Sequence, residues 1–356
     1  MVMGLRRLMG LRGLALHVVL GAFFAQLQPA SAGYQPPTKF LIISNARNGT
    51  IAYTKAGPGN LSEPHILVSS GLGHPQGIAV DQKRQLLFVA DSDLKKVVSY
   101  GLSMRDGELV VDEQTPVAEN VESRWVAVDG NGNVYISDEL QNQVLRVSAR
   151  QVLDGDTSAK VAYAREASSS LYQQPSTVMT AISAPGGIAV DNFYVYWANK
   201  QDGDTVGTVV KHFEVYPNSS LMEQALQSRQ SPAVLAKNTP KAYGVCIAMD
   251  NVYYTDSENN VYVVKRSGGD PVTVTSDLQS PRGCTWDGDS TIYVADRTAG
   301  GIFAISGPRS SLTQTEAQQV LNFEDAFGVA MFSSSLSLRP WVATLFAPVF
   351  VLLAAV

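Results

Sequence analysis

"PGGIAVDNFYVYWANK", residues Pro185–Lys200, decides how the whole chain is read. An apolar run leaves a glycine and reaches an aspartate. A second run, rich in tyrosine and tryptophan, stops at an asparagine. The phrase recurs as "PQGIAVDQKRQLLFVADS" from Pro75, "SRWVAVDGNGNVYISDE" from Ser123, "AYGVCIAMDNVYYTDS" from Ala242 and "PRGCTWDGDSTIYVADR" from Pro281. Its glycine position falls at Gly77, Trp125, Gly187, Gly244 and Gly283, at intervals of 48, 62, 57 and 39 residues. Periods of this size belong to solenoids, propellers and arrays.

Each copy reads as two strands. "GIAV" is short and apolar. "VYWA" or "IYVA" is β-branched and aromatic, and Asp or Asn bounds it. Connectors such as "DGNGN" at 129–133 carry hairpin chemistry. A third strand follows in "KKVVSY" from Lys95, "QVLRV" from Gln143, "NVYVV" from Asn260 and "GIFAI" from Gly301, and a weaker fourth precedes the next glycine. Four antiparallel strands in about 50 residues make a propeller blade. A sixth copy begins with "FGVAMF", Phe327–Phe332. Its missing partners are "KFLIISNARNGTIAYT" at 39–54, which has no "GIAVD" before it. The expected fold is therefore all-β: a six-bladed β-propeller with the last blade closed by N- and C-terminal strands.

The ends read as removable. Residues 1–32 carry Arg6, Arg7 and Arg12, then an apolar stretch, then Ala30-Ser31-Ala32, the order of a secretory signal peptide. Residues 336–356 end in 16 uncharged residues, Trp341–Val356. Small residues Ser333, Ser334 and Ser335 precede them, the order of a GPI-attachment signal with lipid attachment at one of the serines. A retained single-span C-terminal anchor is the alternative, although 16 residues are short for a span. The propeller body is then 33–335. The full chain has a net charge of −5, and Arg6, Arg7, Arg12 and Arg339 lie in the ends, so the body stands at −9. That charge disfavours nucleic acid as a partner. The expected course is through the secretory pathway to the cell surface, with the membrane reached through the C-terminal anchor.

Cys246 and Cys284 are the two cysteines, and an even pair in a secreted chain points to a disulfide. They lie two and one residues past their glycines, on inner strands of successive blades. Side chains alternate along a strand, so opposite parity lets the two meet between the blades. Asn48, Asn60 and Asn218 open N-x-S/T triplets and are glycosylation candidates.

"PxGIAVD…IYVAD" resembles NHL repeats, and "VYWAN" and "VYYTD" resemble the YWTD blades of LDL-receptor-type propellers. Both are six-bladed, and the resemblance spans nearly all of Phe40–Phe332. It implies a fold and leaves function open, because such propellers host many activities.

Antiparallel order gathers the residues before each glycine at one end of the ring. These are Gln76, Arg124, Gly186, Tyr243, Arg282 and Phe327. A wider ring holds Asn45, Asp91, Asp138, Asn199, Asp256 and Asp296. The wider set is read as capping backbone N–H groups, the role that the resemblance also implies for the corresponding Asp. Propeller hydrolases of the gluconolactonase and paraoxonase type hold calcium near the channel with Glu, Asn and Asp. The inner positions here include no carboxylate. A zinc-dependent amidating lyase needs several histidines, whereas the body has His65, His74 and His212, the last placed in a long excursion together with Lys211. No cofactor, metal site or catalytic group is expected. Arg124 and Arg282, on blades facing each other, can pair with neighbouring acids or grip an anion. With Tyr243, Phe327 and Trp125 they form an Arg-plus-aromatic rim of the kind that interface hot spots use. Gln76, Arg124, Tyr243, Arg282 and Phe327 are thus the expected site for a protein or small anionic ligand on the central-channel face. The expected function is a non-catalytic, surface-tethered binding module. The alternative is a lactonase- or esterase-like hydrolase or an amidating-lyase-like enzyme.

Overall fold

A computed structural model of the chain describes residues 37–57, 59, 61–164, 182–200, 207–214, 232–237, 240–307 and 312–334. These residues form six antiparallel sheets of four strands each, one of them with an added hairpin strand. Blade one comprises Pro75–Asp81, Leu86–Asp91, Lys96–Arg105 and Thr115–Glu119, and Glu108–Val111 extends its third strand. Blade two comprises Ser123–Val128, Val134–Asp138, Gln143–Val147 and Lys160–Ala164. Blade three comprises Pro185–Val190, Tyr194–Asn199, Val209–Phe213 and Ala233–Ala236. Blade four comprises Val245–Ala248, Asn251–Thr255, Val261–Lys265 and Val272–Thr275. Blade five comprises Pro281–Trp286, Thr291–Asp296, Gly301–Ser306 and Ala317–Asn322.

Blade six joins the two ends of the body. Its inner strand, Ala326–Ser333, pairs with Lys39–Asn45, followed by Thr50–Ala56 and His65–Val68. Phe40 stands opposite Phe332 on one side and Lys55 on the other. The inner strands touch in the order one, two, three, four, five, six and back to one, which closes the ring. The six sheets form a six-bladed β-propeller with no free inner edge among the described residues.

Six apolar clusters hold it together, each centred on one junction between blades. Phe40, Ile42 and Tyr53 meet Leu87, Val89 and Val98 between blades six and one. Tyr196 and Val209 meet Val252 and Tyr254 between blades three and four. The second strands are sandwiched on both faces, and this explains their unbroken apolar runs. Val134–Asp138 is buried along its whole length. Burial of both faces removes the alternation that a half-exposed strand would show.

Three local features depart from the sequence expectations. A short helix, Ala149–Asp154, interrupts blade two between its third and fourth strands. Ser148 caps it by accepting from the Gln151 N–H. Ala46–Gly49 make a four-residue turn between the N-terminal strands, with Asn45 opposite Thr50, longer than the two-residue hairpin turn that an Asn-Gly pair favours. Lys211 and His212 sit in the third strand of blade three, not in an excursion. The apolar run Val209–Val210 carries the ladder through them, and Val195 pairs with His212.

Cys246 and Cys284 are bonded, with Cα atoms 5.7 Å apart. They lie in the cluster between blades four and five. Residues 1–32 and 336–356, Asn60, Asn218 and Ser335 lie outside the described residues. Asn48 is exposed at the turn between the N-terminal strands.

Candidate binding face

The P-x-G phrase is a β-bulge. Pro75 pairs with Asp91, yet the next pair is Ile78 with Val89, so three steps on one strand meet two on the other. The same shift occurs between Pro185 and Ile188 and between Pro281 and Cys284. Proline has no N–H to offer the ladder, and a bulge re-aims the residues inside it. In these three blades the residue before the glycine, Gln76, Gly186 or Arg282, is one of these re-aimed positions.

The glycines meet a separate demand. A Cβ on Gly77 would come 2.6 Å from the Cα of Trp125, and one on Gly283 would come 2.8 Å from the Phe327 carbonyl oxygen. The inner strands approach too closely for a side chain. Hydroxyls stitch two of these approaches. Gly244 N–H donates to Thr255 Oγ1 at 2.8 Å, and that hydroxyl donates to the Arg282 carbonyl of the next blade at 2.8 Å. Gly328 N–H donates to Ser44 Oγ at 2.7 Å, and Ser44 donates to the Gln76 carbonyl at 2.6 Å. Blade two has Ser137 in the equivalent place but Trp125 in place of glycine. The Ser137 hydroxyl is buried with no hydrogen-bond partner among the described residues.

The five expected site residues occupy one end of the ring but do not line one open rim. Gln76 and Phe327 are buried. Phe327 and Trp125 lie ring against ring, 5.3 Å between centroids, although blades six and two are not neighbours. Together they fill the channel axis beneath the surface. Gln76 Oε1 is buried without a partner among the described residues. The channel is open from the other face, where it forms a cavity of ≈ 340 Å³ lined by all six inner strands.

Above the plug the remaining three residues join a charged network. Arg124 Nε lies 3.0 Å from Glu139, and its Nη2 lies 3.8 Å from Glu122. Glu139 also takes the Lys200 ammonium at 2.7 Å. Tyr243 lies between two cations, with Arg282 Cζ 4.2 Å and Lys200 Nζ 5.3 Å from its ring centroid. Arg282 donates to the Pro281 carbonyl at 2.8 Å. Among the described residues it forms no ion pair. Burial pulls both Lys200 and Arg282 below their ordinary values. Glu139 opposes the shift at Lys200, and the Arg124 and Arg282 charges reinforce it. Lys200 and Glu139 escaped the sequence reading. Each follows directly on the Asn or Asp that ends a second strand, and that adjacency is the signal that could have found them.

The wider Asp/Asn ring works on the backbone. Asp296 accepts N–H bonds from Gln279, Ser280, Thr298 and Ala299. Asp91 does the same for Gly73, His74 and Leu94. Asp256 accepts from Glu258 and Asn260, and Asn199 from Ser183. These groups tie the entering loop to the strand end. Among the described residues no three His, Cys, Asp or Glu side chains converge as a metal site.

No family model matches the chain, and no curated protein matches its sequence. Solved structures do match its fold. A chain of the crystal structure of a nidogen/laminin complex superposes with a TM-score of 0.60 at 13% identity, covering 82% of this chain and 98% of that one. A gluconolactonase from Xanthomonas campestris gives a TM-score of 0.49 at 12% identity, covering 83% of this chain and 88% of that one. A virginiamycin B lyase from Staphylococcus aureus gives 0.44 at 14% identity, covering 72% and 74%.

Proposed function

We propose that this chain is an extracellular, surface-tethered binding module that recognises a protein or small anionic ligand, without catalysis, on the face bearing Arg124, Lys200, Tyr243 and Arg282. One observation carries the reading. In an acidic chain, this face collects three cations, two of them, Lys200 and Arg282, against the Tyr243 ring, and Arg282 forms no ion pair among the described residues. Arginine and aromatic side chains are what protein interfaces use as anchors. The nidogen/laminin complex places a chain of this fold in a protein–protein assembly, and the same kind of use is proposed here.

The tether fits this orientation. The inner strand of blade six runs from Ala326 at the charged face to Ser333 at the opposite one, where Ser334 N–H donates to the Thr38 carbonyl at 2.9 Å. An anchor attached at Ser333, Ser334 or Ser335 would hold the charged face away from the membrane. The N-terminal leader and the uncharged tail support that route, through either a GPI anchor or a retained span. A glycan on the exposed Asn48 would also be consistent with it.

The test is capture of cell-surface protein by the soluble body. Arg124→Ala with Arg282→Ala should weaken capture at least about ten-fold, since a charged hydrogen bond contributes on the order of 1–3 kcal/mol. Lys83→Ala is the control, because Lys83 is exposed on the opposite face. Lys211 does not serve, because its ammonium donates to the Arg266 carbonyl and lies over the Tyr194 ring. Capture unchanged in the double variant would reject this face. Stoichiometric bound metal with turnover of lactones or esters would instead establish the hydrolase alternative. Release from cells by a phosphatidylinositol-specific phospholipase checks the GPI anchor; retention with the tail peptide still detectable by mass spectrometry establishes the span.

A further inference from the structure

Beside the central plug, a cleft of ≈ 860 Å³ runs outward between blades five and six. Four chain segments meet there: the turn at Arg47, the approach to the inner strand at Arg282, the turn from Arg297 to Gly300, and the approach from Asn322 to Asp325. Three guanidiniums and the carboxyls of Glu324 and Asp325 line it. Asp325 is occupied. It accepts the Arg47 backbone N–H at 2.8 Å and Arg297 Nε at 2.7 Å, and the Arg47 guanidinium stands 3.8 Å from it. Arg282 is held by the Tyr243 ring and the Pro281 carbonyl and forms no direct ion pair among the described residues; the Asp296 carboxylate, bound to the Ser280 and Thr298 N–H groups, acts on its charge without touching it.

We propose that this cleft is a carboxylate-binding subsite, which takes an acidic side chain of a protein partner onto Arg282 with Arg47 and Arg297 at its sides. The proposal rests on the recognition reading above and gives that face its ligand chemistry. Geometry selects the class, because a guanidinium offers a planar fork that a carboxylate can accept in parallel. Neighbouring backbone donors are already committed: the Ser280 and Thr298 N–H groups bind Asp296, so they do not build a phosphate cradle. The cleft widens from the position of Arg282 to the exposed Arg47, whose side chain is 72% accessible, so an extended acidic segment can enter from the rim.

The probe is a fluorescent acetylated Asp-Glu-Asp peptide amide, read by anisotropy on the folded body, with the Asn-Gln-Asn peptide as control. The acidic peptide should bind and the amide peptide should not, and raising salt should weaken binding. Arg282→Gln should weaken it at least about ten-fold. Arg282 also packs on Tyr243, so a second variant guards against misfolding. Arg47→Glu, at an exposed position, should abolish binding with an unchanged melting curve. Acetate should compete for the site better than inorganic phosphate does.

The proposal falls if the acidic peptide does not bind. It falls equally if a folded Arg47→Glu protein binds as wild type does, or if phosphate displaces the peptide more effectively than acetate. Peptide failure with cell-surface capture intact removes only this subsite. Loss of both removes the recognition reading as well.

Discussion

Single hydroxyls and carboxyls set much of the behaviour of this ring. Thr255 links the glycine of its own blade to the carbonyl before the glycine of the next, so both of its hydrogen-bond roles are used in a buried place. Thr255→Val keeps the shape and leaves Gly244 N–H and the Arg282 carbonyl unanswered. Chemical denaturation should show a loss of about 1–3 kcal/mol. Ser137→Ala should cost nothing or stabilise slightly, because that buried hydroxyl has no partner to lose. Equal losses in the two variants would contradict the stitching role. Glu214 supplies a pH dependence. It is fully buried beside Asp129 and accepts from Tyr135 Oη at 2.9 Å, with Arg146 also acting on it. Burial first, then the Asp129 carboxylate, push its carboxyl from the ordinary 4.5 up to about 8. The folded chain therefore holds a proton that the unfolded chain releases. The contribution is fully present below pH 4.5 and fades as the pH rises through about 8. The slope is at most about 1.4 kcal/mol per pH unit. Glu214→Gln should flatten stability across that window, as measured by denaturation midpoints from acidic to mildly alkaline pH.

At the scale of the element, the inner strands bring the most distant residues together. The cysteine parity read from the sequence describes the bond between blades four and five, because alternation along a strand sends one side chain forward and the next back. Removing both cysteines should cost roughly 3–4 kcal/mol on loop-closure grounds, for a sequence separation of 38. Labelling the unreduced, unfolded protein should find no reactive thiol. The bulge at P-x-G was not legible as a bulge. Proline and glycine punctuate the stretch, but only the pairing of Pro75 with Asp91 ahead of Ile78 with Val89 shows that a residue is inserted. Both candidate arginines lie in such a bulge, and their neighbours separate them in role. Arg124 turns to Glu139, whereas Arg282 lies over Tyr243 and opens to a cleft.

Across the whole molecule, closure by blade six is the decisive contact. The first and last strands are held together by the ladder from Lys39–Ser333 to Asn45–Ala326. Ending the chain before Ala326 would strip blade six of its inner strand and expose the Gly77 side of blade one and the Gly283 side of blade five. Such a truncation should lose the single cooperative melt and associate through its open edges, as seen by calorimetry and size-exclusion chromatography. An isolated, cooperatively melting monomer would show that the ring does not depend on this closure.

Repetition is what the sequence determined by itself. Strand boundaries, blade count and the split sixth blade follow from the P-x-G and Asp/Asn punctuation. Those residues answer local backbone demands: a missing N–H, a missing Cβ, a cap on a turn. The capping role of Asp91, Asp256 and Asp296 was legible for the same reason. What lies at the centre was not. Expected rim residues Gln76 and Phe327 are buried, and Trp125, one residue written in place of a glycine, reaches Phe327 across the axis and closes the channel. Lys200 and Glu139 join Arg124, while Arg47, Arg297 and Asp325 meet Arg282 from segments far apart in sequence. Local periodicity says which residues stand at one end of the ring. Only closure of the ring decides which of them touch, because those distances are set by side chains from several blades competing for the same central space.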